Sequence, residues 1–175
     1  DQPEDEPEDK PVNEELLLGL DATLKNMVES RKGVINAWQS GNEIGLYTEN
    51  KNLKYTYDGS KWIAVEQYEV QKEQTVYAYH PYTENVDMPY VPVDLTRQED
   101  VMYGQCIVTP DFPTAKPEMK HALSLIRVKL LRDEYMGTGL VTDVTVRNVN
   151  SHLAMDVVYG NIAYPDAQKC DIPIG

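Results

Sequence analysis

Met119-Lys-His-Ala-Leu-Ser-Leu-Ile-Arg-Val-Lys-Leu-Leu131 is the densest apolar run in the 175-residue chain, and its reading decides the fold class. Taken with period two, Ala122, Ser124, Ile126, Val128 and Leu130 share one face, while His121, Leu123, Leu125, Arg127 and Lys129 share the other. The first face reads as core throughout. The second is apolar in its first half and cationic in its second, which fits a central strand covered at one end and wetted at the other. Helical spacing also recurs, at Met119, Leu123, Ile126 and Leu130, and Ala, Leu, Lys and Arg favour helix. The surroundings decide for strand: strand-like runs and turn signals flank the stretch, and no second amphipathic helix of comparable length offers a packing partner.

The rest of the composition agrees. The chain is 41% hydrophobic and long enough for one substantial core plus a tail. Its 12 Tyr and 11 Pro, with many Val and Thr, favour short strands and turns, so the expected class is all-β. Residues 1–13 read as an acidic, proline-rich linker, disordered because it has too little apolar surface to bury, and 14–175 as one domain. The net charge of -13 is concentrated there: residues 1–15 hold eight acids against Lys10, leaving the body mildly acidic. No basic stripe exists to displace phosphate counterions, so nucleic acid is not an expected partner, nor is an anionic membrane face. No apolar run approaches the roughly 18 residues of a spanning helix. The chain begins at Asp1 without Met, which suggests that an upstream segment has been removed. Cys106 and Cys170 are either two thiols or one bridge, the latter worth roughly 4 kcal/mol in an oxidising compartment.

Along the chain, Leu16 to Val28 reads as the first strand, with Leu18, Leu20, Ala22 and Leu24 on one face. Glu29-Ser-Arg-Lys-Gly33 interrupts it as an exposed loop in which Arg31 and Lys32 form a candidate trypsin-type cleavage site. Short strands are expected at Val34–Trp38 and Glu43–Thr48. Leu53–Tyr57 and Lys61–Val65 should form a hairpin, because Asp58-Gly59 tolerates the positive φ of a tight turn. Tyr55, Tyr57 and Trp62 in that hairpin are packing aromatics first and a sugar-stacking platform second. Thr75–Tyr82 should be a strand with Val76 and Ala78 facing one way and Tyr77 and Tyr79 the other. Tyr90–Val93, bracketed by prolines, belongs on an edge. Gly104–Thr109, Leu140–Val149, His152–Val158 pairing with it, and Asn161–Tyr164 complete the expected strands, and the last segment reads as irregular.

Chemistry is not signalled. His80, His121 and His152 lie in separate strands without zinc-ligand spacing, and His121, facing Leu123 and Leu125, reads as a satisfied structural residue. There is no nucleophile elbow, phosphate loop or EF-hand, so neither catalysis nor a cofactor is expected.

Four pieces in order carry a resemblance: Trp38-Gln-Ser-Gly-Asn-Glu-Ile-Gly-Leu-Tyr47, Tyr57-Asp-Gly-Ser-Lys-Trp62, Val76-Tyr-Ala-Tyr-His-Pro-Tyr82 and His121-Ala-Leu-Ser-Leu-Ile-Arg-Val128. Over about Leu16 to Val158 the chain resembles the fimbrillin-like family, which includes type V pilus subunits and related lipoproteins of Gram-negative anaerobes. Asn42 departs from the Asp more usual there. The resemblance implies a transthyretin-like or immunoglobulin-like β-sandwich of seven or more strands, exported through the periplasm and displayed at the cell surface, lipid-anchored in the outer membrane or within a fimbrium. Any contact with membrane would be through a lipid anchor upstream of this chain. It further implies cleavage after Arg31, loss of the strand carrying Leu16, Leu18, Leu20, Leu24 and Val28, and its replacement by a β-strand donated by another pilus subunit. Polymerising members usually carry a second domain and a donor strand, and this chain offers no clear donor. The resemblance therefore allows the first domain of a longer protein, or a short anchor, tip or independent surface lipoprotein. The alternative from the residues is a non-polymerising adhesin that recognises host glycan or protein through surface aromatics such as Tyr77, Tyr79 and Tyr90.

Overall fold

A computed structural model of the chain describes residues 12–25, 35–49, 51–124, 126, 128–134, 136–165 and 168–174. The acidic tail up to residue 11 lies outside the described residues. Among the described residues two 3-10 turns, Glu14–Leu16 and Leu95–Arg97, accompany fourteen strands. These are β1 (Gly19–Leu20), β2 (Thr23–Leu24), β3 (Glu43–Thr48), β4 (Lys51–Tyr57), β5 (Trp62–Ala64), β6 (Gln74–His80) and β7 (Tyr90–Asp94). The second half holds β8 (Met102–Val108), β9 (Thr114–Ala115), β10 (Glu118–His121), β11 (Thr145–Asn150), β12 (His152–Asp156), β13 (Asn161–Ala163) and β14 (Lys169–Pro173).

A seven-stranded sheet ordered β2-β10-β8-β6-β3-β4-β5 organises the molecule. Side-chain alternation along its middle strands builds two separate cores. Ile44, Leu46, Val76, Ala78, Met102 and Val108 face one way and pack with Leu53, Tyr55 and Val70 under the amino-terminal strand. Tyr79, with Tyr47, Tyr77 and Tyr103 beside it, faces the other way and packs on Val91, Val93, Leu153 and Met155 of the three-stranded sheet β13-β12-β7. The fold is therefore an all-β sandwich, as expected, with strand layers covering both faces of one sheet. The hairpin β4–β5 forms at Asp58-Gly59: Asp58 Oδ1 accepts the N–H of Ser60 at 2.7 Å and of Lys61 at 2.8 Å, and Gly59 takes φ +108°. Tyr90–Asp94 is an edge strand, consistent with its prolines.

Beyond the expected strand at Val34–Trp38, none of whose described residues is in a strand, three expectations are corrected. The apolar run from Met119 is a strand only through His121, and no described residue between Ala122 and Val144 is in a strand. Ile126, Leu130 and Leu131 are exposed. The neighbour of β10 on one side runs out. Ala122 donates to Val101 O, just before β8 begins, and the chain preceding it closes into the 3-10 turn capped by Gln98 at φ +51°. On the other side Lys25 N–H to Met119 O is the last ladder bond among the described residues. A periodic strand pattern without an opposing backbone has nothing to pair with. Second, β12 pairs with β7 and β13, not with β11. Third, the last segment is not irregular: Lys169–Pro173 pairs antiparallel with β11 across a register shift between Val146 and Val149.

Tyr79 sits opposite Gly45 in the β3–β6 ladder, and a Cβ at residue 45 would lie 2.1 Å from the Tyr79 ring. The ring occupies the space that glycine leaves empty, and its hydroxyl reaches Asn52 Oδ1 at 2.8 Å. Gly45→Ala is expected to cost about 1–3 kcal/mol by overpacking, read as a lowered urea midpoint.

Candidate functional site

Leu16 to Lys25 behaves as one extended strand. The N–H groups of Gly19, Asp21, Thr23 and Lys25 donate to the carbonyls of Pro113, Ala115, Pro117 and Met119 at 3.2, 2.8, 3.1 and 2.9 Å. The pairing is parallel and its register does not slip between Gly19↔Thr114 and Leu24↔Met119. It is split into β1 and β2 because Pro117 has a carbonyl but no N–H to return to the Asp21 carbonyl.

Alternate side chains point into the first core. Leu18, Leu20 and Ala22 are buried, Leu24 packs against the same cluster, and Leu16 is half-buried. Leu18 and Leu20 each contribute about 1.5–3 kcal/mol by burial, before the cost of ordering the chain.

The strand's second edge is held differently. At its start Leu18 donates to Tyr68 O and Val70 donates to Leu16 O, both at 2.8 Å. Farther along, side chains take over from backbone: the Tyr55 phenol donates to Leu18 O at 2.5 Å, and Trp38 Nε1 donates to Ala22 O at 2.9 Å. Burial pushes the Tyr55 phenol well above its ordinary pKa, so it remains a donor. These two residues were missed as strand contacts from sequence. The available signal was Tyr55 itself, alternating with Leu53 on a core face where a phenol needs a partner.

Lys25 leads into residues 26–34, which lie outside the described residues, so Arg31, Lys32 and Val28 are not placed. The chain resumes at Ile35, whose N–H donates to Asp100 Oδ2 at 2.8 Å, while Asp100 Oδ1 lies 2.9 Å from His121 Nδ1. His121 is thus a structural residue with a partner.

The candidate aromatics divide. Tyr79 is fully buried, which corrects its expected place at the surface; the space over Gly45 accounts for it. Tyr77 is half-buried, its ring centroid 6.3 Å from that of Tyr47, and Tyr90 is 54% exposed. Cys106 and Cys170 are free and half-buried. Among the described residues no group of His, Cys, Asp and Glu is arranged to hold a metal ion, and no helix is long and apolar enough to cross a membrane.

Fold and groove together define an all-β sandwich that holds an extended apolar segment in a trough. The fimbrillin-like family model matches residues 30–174, and the chain belongs to that family. Its fold is similar to that of a "putative cell adhesion protein" of Bacteroides uniformis, with a TM-score of 0.64 at 20% identity, over 94% of this chain and 72% of the other. A second "putative cell adhesion protein", from Bacteroides thetaiotaomicron, is similar with a TM-score of 0.54 at 11% identity, over 91% and 69%. No curated protein matches the chain.

Tyr55→Phe and Trp38→Phe should each cost about 1–3 kcal/mol, because each leaves a strand carbonyl without its donor. Native-state hydrogen exchange should show faster exchange at Gly19, Asp21 and Thr23 than at β6 amides. His80 makes a separate prediction. It is buried, its Nδ1–H donates to the Glu43 carbonyl at 2.6 Å, and burial holds its pKa below the ordinary 6.5. The unfolded chain then binds the proton first, so this contribution is complete above about pH 6.5 and is lost as pH falls towards the folded value. Urea midpoints at pH 7 and 5 should differ, and differ less in His80→Phe.

Proposed function

We propose that this fimbrillin-like chain is a structural component of cell-surface fimbriae or pili, assembling by β-strand exchange triggered by proteolysis. In this reading a trypsin-like protease cuts at Arg31 or Lys32, the segment from Leu16 to Val28 leaves, and a strand donated by another subunit fills the trough. The observation that carries it is the way Leu16–Lys25 is bound. Its buried Leu18, Leu20 and Ala22 complete a core, yet its main-chain ladder lies mostly on one edge, against residues 113–119. A departing strand would leave unpaired carbonyls and apolar side chains that another extended segment restores together. The chain acts without catalysis, at the cell surface, lipid-anchored in the outer membrane or within a fimbrium, after export through the periplasm. Family membership and the adhesion proteins that share the fold support the surface role.

A second reading, a non-polymerising adhesin that recognises glycan or protein, is favoured by the exposure of Tyr90 on the edge strand β7.

Brief digestion of the folded chain with trypsin, followed by mass spectrometry and size-exclusion chromatography, separates the readings. The expected outcome is a cut after Arg31 or Lys32, release of the strand, and then assembly or capture of a synthetic Leu16–Val28 peptide. A cut with the strand retained and neither assembly nor capture would overturn strand exchange.

A further inference from the structure

We propose that the cleft between the amino-terminal strand and the β4–β5 turn is a carbohydrate subsite that takes a pyranose ring. The cleft has a volume of about 320 Å³, at the lower end of the roughly 300–1,000 Å³ of small-ligand sites. One wall is the strand, through Leu20, Asp21 and Ala22; the other is aromatic, from Trp38, Tyr57 and Trp62. The two indoles meet at 80° with centroids 5.0 Å apart, and Tyr57 stands 5.1 Å from Trp62. They form a corner. A pyranose presents apolar C–H faces to aromatic rings and hydroxyls around its rim, so it needs rings and convergent polar groups together.

The polar groups are there. Asp21, Ser60 and Lys61 line the same cleft. The Asp21 carboxylate, Lys61 ammonium, Tyr57 hydroxyl and Trp62 Nε1 make no hydrogen bond to any described residue, leaving acceptor and donors for a ligand. The corner is also rigid. Trp38 is fixed by its bond to Ala22 O, and Ser60 is fixed by Asp58 Oδ1, which holds both its N–H and its hydroxyl. The larger cleft, about 520 Å³ around Tyr68, is a poorer candidate because its polar groups already bond one another: Lys72 and the Tyr68 hydroxyl each reach Glu49 at 2.8 Å. A nucleic-acid base would also stack between aromatics, but a chain of net charge -13 repels its phosphates.

Tyr57 and Trp62 flank one tight turn and are neighbours by sequence; the fold brings Trp38 and Asp21 to them. The proposal goes beyond strand exchange and does not depend on it, because the site belongs to the uncut chain. Trp38 and Trp62 are the only two tryptophans in the sequence, so selectively excited tryptophan emission reports on this cleft alone.

The test is titration of the full, uncut chain with lactose, mannobiose and diacetylchitobiose, followed by tryptophan emission and by calorimetry. At least one sugar should give a saturable change, weakened about tenfold or more in Trp62→Ala, the size of one lost ring or hydrogen-bond contact. Asp21→Asn, an exposed substitution that leaves the core untouched, should weaken it as well, and Tyr90→Ala should not. No saturable change with any of the three sugars, or binding that survives both cleft substitutions, would overturn the proposal. Either failure leaves the digestion result standing, so the two ideas fail separately.

Discussion

The ladder between Leu16–Lys25 and residues 113–119 is the constraint on which the rest of the molecule depends. It is the point where a local segment, apolar on one face, meets a backbone more than eighty residues away in sequence. Without that cover Ile44, Leu46, Val76, Ala78 and Met102 would look onto water on one side of the seven-stranded sheet. The opposite core, around Tyr79 and Met155, closes without it. The two cores thus differ in kind: one is sealed by a three-stranded sheet, the other chiefly by one extended segment, with Val70 and Ala115 beside it.

What was legible in the sequence was local. The alternation of Leu18, Leu20, Ala22 and Leu24 was read correctly, as were the opposed faces of Val76/Ala78 and Tyr77/Tyr79, because period two is a property of the strand itself. Asp58-Gly59 was legible for the same reason, since a tight turn is chosen by its own two residues. What was not legible was pairing. The run from Met119 carries a strand pattern well past His121, but its length is limited by where β8 begins, which no periodicity in the run encodes. Tyr79 looked like a surface aromatic because the glycine that makes room for its ring lies in another strand, thirty-four positions earlier.

The candidate site shows the same division. Its apolar face was visible in advance, whereas the donors on its free edge, Tyr55 and Trp38, came into view only with the fold. Asp100 is a further case: each of its carboxylate oxygens meets a different element, Ile35 and His121, and neither contact follows from sequence spacing. Side chains that tie distant segments are written in the sequence only as residue types, and the types alone do not name their partners.

The parallel course of the strand along residues 113–119 also has a mechanical consequence. Tension applied along the strand axis, at the end that emerges near Val12, acts across its ladder bonds and not along them. The four N–H donors are then loaded in shear, sharing the force at once, where a hairpin peeled from its end would surrender them one at a time. A segment seated in this way resists being dragged out lengthwise far better than it resists being lifted away sideways.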